Sequence, residues 1–296
     1  TTEIYTLSLH DALPISQVAK SRPGEVIMGG HWEHEMFITR DWPTKELIDK
    51  VSPDNPVILA RADGHSRLVN SYVLKRSGIT KNTPDPFGGE IQRDPATGEP
   101  TGILKEKAMD LIRVEEVKSE RTPEEIAEKT WQGYLLAMKE ARELGVTSVQ
   151  NAGSEDFEAY EKLQDEGELT CRIDIGKPLT GDQEILERYM ELAKKYPDDG
   201  DWIRFGYLKV FIDGSMGSGT ALMFAPYDDE PSTSGLAMWE YDEYEKMVLA
   251  ADKMGFQIGV HAIGDKGNNW ILNAFEKALA ARSEEHTSEL QSPNTI

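Results

Sequence analysis

One cysteine in 296 residues, Cys171, excludes any disulfide within the chain. That suits a reducing, cytoplasmic setting, and its apolar neighbours (LTCRIDIG) mark it as a buried thiol rather than a ligand. Long apolar runs are missing too. No stretch approaches the roughly 18 residues of a membrane span, so no membrane partner is expected. Basic residues are scarce, with 32 Lys and Arg against 53 Asp and Glu, a formal charge of −21. Such a balance repels phosphate backbones and anionic lipid surfaces, which argues against nucleic acid as a partner. What remains is ordinary for a folded chain: 39% hydrophobic and 29% charged residues. The length suits one large α/β barrel or two smaller domains.

The two ends read differently from the rest. Residues 1–16 (TTEIYTLSLHDALPIS) lack the basic start and continuous apolar core of a secretory leader. From Ile4 to Ile15 they resemble the translation of a short-read sequencing adapter, and Arg282 to Ser292 (RSEEHTSELQS) resembles another. The expectation is therefore that residues 1–16 and 282–296 are not native, and that the part between is an internal piece of a longer protein. Setting them aside removes His10 and His286, leaves His31, His34, His65 and His261, and brings the charge to about −17.

Two textures follow. Residues 17–121 are dense in turn signals (PGE, GGH, SPDNP, TPDPFGG, DPATGEP), with strand-like pieces at Pro56–Arg61 and Gly102–Leu104, and read as an irregular insertion or subdomain. Residues 122–281 alternate regularly. Thr122-Pro123-Glu124-Glu125 is a helix start with a capping box, and apolar residues at helical spacing run to a stop at Gly145. Strands at Val146–Val149, Cys171–Ile175, Ile203–Phe211 and Phe256–Val260 then alternate with helices at Phe157–Leu163, Gln183–Lys195, Tyr241–Met254 and from about Asn268. Such alternation means parallel βα units. Four units make half of an eight-stranded barrel or most of a small open sheet, and either places ligand chemistry at the carboxyl ends of the strands.

Polar residues stand at those ends. Lys209 lies inside the apolar run RFGYLKVF, where a buried ammonium must pair, reach the strand end, or be used chemically. Read alone, pairing with Asp213 or another carboxylate is the leading interpretation. His261 closes the next strand, QIGVHAIGD. Together they fit either a metal site or a Schiff-base lysine with an acid–base partner, as in a metal-free barrel lyase. Gly88-Gly89 and Gly214–Gly219 lack the lysine and hydroxyl of a phosphate loop; the second reads as a mobile active-site loop.

The segments DGHSRLVNS (Asp63–Ser71), GGEIQRDPATGEPTGIL (Gly88–Leu104), GVTSVQNAG (Gly145–Gly153), LKVFIDGSMGSGTALM (Leu208–Met223) and VHAIGDKGN (Val260–Asn268) resemble amidohydrolase family 3, the branch that includes N-substituted formamide deformylases. The resemblance implies a partial (β/α)8 TIM-type barrel and a divalent metal centre, zinc by expectation, with two ions in the intact parent. It implies that Lys209 is the fourth-strand lysine, carboxylated to bridge two cations, and that His261 is the fifth-strand histidine ligand. Metal-activated water would then attack a small amide-type substrate. His65, Asp213 and Ser215 are implied to contact substrate, a loop-anchoring hydrogen bond being the plainer reading of His65. The family's first-strand His-X-His pair would precede Gln17, and its sixth-strand histidine and catalytic aspartate would follow Ala281, so no catalytic residue is named and the isolated chain is expected to be inactive. His31 and His34 stand where the family has a Gly-rich segment and are not expected to bind metal. A non-catalytic partial barrel remains the third alternative.

Overall fold

The computed structural model describes residues 18, 21–113, 122–152, 156–197, 200 and 202–290, with side chains up to residue 282. The chain forms two compact units. One contains Thr1–Ser119, Asp213–Met238 and Ala262–Gly267; the other contains Glu120–Ile212, Trp239–His261 and Asn268–Ile296. Two stretches from the α/β half thus belong with the first unit. Among the described residues no helix is long and apolar enough to cross a membrane.

The first unit is more regular than its turn-rich sequence suggests. Strands β1 (Ile27–Trp32), β2 (Val57–Arg61), β3 (Ser66–Val69), β4 (Gly89–Arg93) and β5 (Pro100–Glu106) form one sheet in the order β1-β2-β3-β5-β4. Only β1 and β2 run parallel. Short helices α1 (Lys45–Asp49) and α2 (Ser71–Arg76) accompany it. Alternate side chains feed two separate cores. Val57, Leu59, Leu68 and Ile103 pack with Ile48 of α1, whereas Ile58, Val69 and Leu104 pack with Val73 and Leu74 of α2. Burial on both faces explains the unbroken run Val57-Ile58-Leu59, which a half-exposed strand would interrupt with polar residues. The strands are short and two glycines sit inside β1, so period-2 patterning is too brief to reveal them.

The second unit is the expected parallel βα series. Strands β6 (Ser148–Ala152), β7 (Arg172–Pro178), β8 (Ile203–Phe211) and β9 (Ile258–His261) pair in sequence order, all parallel. Helices α3 (Pro123–Glu143), α4 (Phe157–Asp165), α5 (Gln183–Lys195), α6 (Tyr241–Lys253) and α7 (Asp265–Leu290) alternate with them. The result is a mixed α/β fold whose second sheet is a half-barrel. Thr122 caps α3 as its sequence indicates: its hydroxyl accepts Glu125 N–H at 3.2 Å and the Glu125 carboxylate accepts Thr122 N–H at 2.8 Å. Cys171 is buried, and burial pushes its thiol pKa up.

A bulge in β8 decides which side chains face the helices. Ile175 pairs with Phe205 but Gly176 pairs with Tyr207, so Gly206 is the extra residue. Phe205 points to the helices, packing against Phe157 of α4 and Tyr189 of α5. Beyond the bulge the parity changes. Leu208 and Val210 are buried, and Leu208 pairs with Lys177, whose ammonium lies 5.4 Å from the Phe157 ring. Tyr207, Lys209 and Phe211 therefore project from the face opposite those helices.

Candidate functional site

Lys209 and His261 share that face. Lys209 pairs with Gly259 and Phe211 with His261 across β8 and β9, and residues opposite one another point to the same side of a sheet. The Phe211 ring stands between them, 4.5 Å from the Lys209 Nζ and 5.1 Å from the imidazole centroid. Lys209 is half-buried and forms no ion pair with the described residues of its own unit. With no charged partner, burial alone depresses its pKa and favours the neutral amine.

Asp213 has other work. Fully buried, its carboxylate accepts N–H groups from Leu222 (2.8 Å), Gly264 (2.8 Å) and Ile263 (3.0 Å). It ties the segment after β8 to the segment after β9 by backbone alone. Ser215 is likewise engaged, donating its hydroxyl to Asp63 at 2.6 Å.

Within the first unit, two acidic side chains, Asp63 and Glu106, organise the loop at residues 213–220. Besides Ser215, Asp63 accepts the Ser218 hydroxyl at 2.8 Å, the His65 N–H at 3.0 Å and the Arg61 guanidinium at 2.5 Å. Burial raises the Asp63 pKa, but the Ser215 and Ser218 hydroxyls, the His65 amide and Arg61 outweigh it and hold the group below its ordinary value. Arg61 itself is 2% exposed and also pairs with Glu33; a buried cation needs such partners. Glu106 accepts the Thr220 hydroxyl at 2.7 Å and faces His65 Nδ1 at 2.9 and 3.1 Å. That hydrogen bond raises the His65 pKa against the opposing effect of burial.

The loop is thus anchored rather than loose. Two of its glycines, Gly214 and Gly217, serve close approach, and the third, Gly219, takes a φ of 67° with nothing near its Cβ position. A Cβ at Gly214 would sit 2.0 Å from both Glu106 Oε1 and Thr220 Oγ1, and one at Gly217 would sit 2.6 Å from the Arg61 guanidinium. Glycine count alone could not separate these cases.

Glu106 falls outside every motif singled out in the sequence, and Asp63 and Thr220 stood out only as members of one. Glu106 did carry a signal, being one of two charged residues ending an apolar strand, ILKE. Its backbone is at φ 49° and ψ −128°, a conformation costing a non-glycine residue about 1–3 kcal/mol. His31 and Arg40 also have positive φ but are exposed. His34 is buried against Trp42, ring centroids 4.5 Å apart, with its pKa lowered by burial and by Arg61. Among the described residues no group of three or more His, Cys, Asp or Glu is arranged to hold a metal ion.

The model of the amidohydrolase family matches residues 14–291. The chain belongs to the amidohydrolase family. This amidohydrolase is 35% identical to the putative amidohydrolase YtcJ of Bacillus subtilis over 275 residues, covering 89% of the chain and 49% of YtcJ. It is 25% identical to the N-substituted formamide deformylase of Arthrobacter pascens, covering 86% of the chain and 47% of that enzyme. Among solved structures it resembles a metal-dependent hydrolase of Pyrococcus horikoshii, with TM-score 0.54 and 26% identity, covering 91% of the chain and 51% of that protein. The chain spans about half the length of the curated relatives it matches.

Proposed function

We propose that Lys209 and His261 contribute to a divalent-metal centre, most simply zinc, in a hydrolase acting on non-peptide C–N bonds of small amide-type substrates. The carrying observation is Lys209: an amine desolvated, without an ion pair among the described residues, on the same sheet face as a histidine one strand away. The names of the deformylase and the Pyrococcus hydrolase support the bond type and the metal.

The donors suit such a cation in kind. Neutral imidazole is a good zinc ligand. A neutral amine adds carbon dioxide to give a carbamate and a proton, and the carbamate offers two anionic oxygens. A divalent cation would supply Lewis acidity, polarising a carbonyl and making water nucleophilic near neutral pH. The chain's own residues hold the donors in place: the bulge at Gly206 aims Lys209, and the Phe211 ring packs beside its amine. Substrate contact is assigned to His65. Asp213 and Ser215 organise backbone through the bonds they already make.

Metal retention by the full chain in bicarbonate buffer, read by elemental mass spectrometry, tests this. Zinc or cobalt should be retained by the parent and lost from Lys209→Ala and His261→Ala, and a carbon-13 carbamate resonance should vanish in Lys209→Ala. Equal retention by both variants and no carbamate signal would sink the proposal. A depressed lysine pKa also suits a Schiff base, so borohydride trapping of an aldehyde on Lys209 would transfer the reading to a lyase.

A further inference from the structure

Glu106 combines three observations that do not otherwise belong together. Its backbone adopts a conformation natural to glycine, yet the residue is buried and carries a carboxylate. That carboxylate holds two groups from distant parts of the chain, the His65 imidazole and the Thr220 hydroxyl. Gly214 lacks a side chain at the one spot where any Cβ would strike both Glu106 and Thr220. A strained backbone persists where its surroundings over-determine it, and here the side chain's bonds supply that determination.

We propose that Glu106 is a positioning residue that couples the His65 imidazole to the 214–220 loop through one carboxylate. The coupling is reinforced from both sides. Glu106 N–H donates to the His65 carbonyl at 3.1 Å, which fixes the two residues together by backbone as well as side chain. Thr220 Oγ1 accepts the Ser215 N–H at 2.9 Å, and Gly214 N–H donates to the Thr220 carbonyl at 3.1 Å, so the hydroxyl held by Glu106 is also the closure of the loop. Asp63 grips the other end at Ser215 and Ser218. With one carboxylate at each end, the loop and the imidazole have a single joint arrangement. A carboxylate on Nδ1 also fixes the imidazole tautomer, the role a third group plays in orienting an acid–base histidine. The consequence for catalysis rests on the assignment of His65 to substrate contact; the coupling itself does not.

The test uses the full chain without metal or substrate, so failure of the metal-centre reading leaves it intact. Amide exchange at Gly214 and Thr220 reports loop closure, and the carbon-bound imidazole protons report the titration of His65, assigned with His65→Gln. Glu106→Ala and Thr220→Val should each speed exchange on the order of tenfold, and the double variant no more than either single one, because both remove the same contact. Thr220→Ser, which keeps the hydroxyl, should retain parental protection. Glu106→Gln preserves shape and removes charge, and should shift the His65 midpoint down towards its ordinary value. Additive effects of the two single changes, or an unchanged His65 midpoint in Glu106→Gln, would overturn the proposal. If Glu106→Ala does not fold, the Thr220 pair and Glu106→Gln decide it alone.

Discussion

Asp213→Asn separates a carboxylate that organises backbone from one that binds a ligand. Asp213 is fully buried and receives three N–H groups, from Leu222 and Gly264 at Oδ2 and from Ile263 at Oδ1. Asparagine matches its shape. With the amide oxygen in the Oδ2 position, the Leu222 and Gly264 bonds survive as neutral ones, each weakened by about 1 kcal/mol from its charge-assisted value. The amide NH2 then faces the Ile263 N–H, donor against donor, leaving that group only its longer 3.3 Å bond to the Oδ2 position, at a cost of about 1–3 kcal/mol. Contributions at one site are not additive, so the expected loss is about 3 kcal/mol, roughly 150-fold in the local opening equilibrium. Amide exchange of segments 213–222 and 262–267 measures this directly, since Ile263, Gly264 and Leu222 are themselves the reporters. If Asp213→Asn left their protection within about 0.5 kcal/mol of the parent, the carboxylate would not be holding this backbone, and ligand binding would become its better explanation.

Three further outcomes follow from the same geometry. Gly214→Ala inserts a methyl 2.0 Å from two oxygen atoms and should cost about 1–3 kcal/mol or more, as overpacking does; an unchanged melting temperature would contradict the packing described. The His65 pKa is raised in the folded state, chiefly by its hydrogen bond to Glu106. Its contribution to stability is therefore fully present below the unfolded value of about 6.5 and is lost as pH rises through the folded one. The stability difference between the parent and His65→Gln should shrink across that window, and a difference that grew with pH would refute the pairing. Cys171, buried and with its thiol pKa pushed up by burial, should resist a disulfide reagent until urea unfolds its unit; prompt reaction in native buffer would place it elsewhere.

The parallel βα half was largely legible because its signals are local and repeated. Helix α5 at Gln183–Lys195 and strand β8 at Ile203–Phe211 match the patterning, and the capping box at Thr122 starts α3 where the sequence indicates. Boundaries moved where the signal is weakest. β6 begins at Ser148 rather than Val146, and β9 at Ile258 rather than Phe256. β1, β3 and β4 escaped notice because strands of four to six residues between turns give too little period to read. At the site, Lys209 and His261 stood out as polar residues at apolar strand ends. The role of Glu106 depends on a positive φ and on partners 41 and 114 residues away in sequence, neither of which a local pattern contains. The close approach at Gly214 and Gly217 was hidden for a related reason: a glycine needed for close approach and a glycine needed for motion are the same letter.

The extra residue in β8 has a bearing on how this chain can be aligned and altered. Everything before Gly206 keeps one phase of the strand and everything after it keeps the other. Reading the strand as plain alternation through that position would exchange the tenants of the two faces, turning Leu208 and Val210 outwards and placing Lys209 among the helices beside Phe157; deleting it would only remove the bulge and leave each later residue with its present partner. An alignment to a bulge-free strand that places its gap after Lys209 commits that exchange on paper, assigning the lysine to a wall instead of a rim. Phase, rather than composition, decides which face the amine of Lys209 occupies.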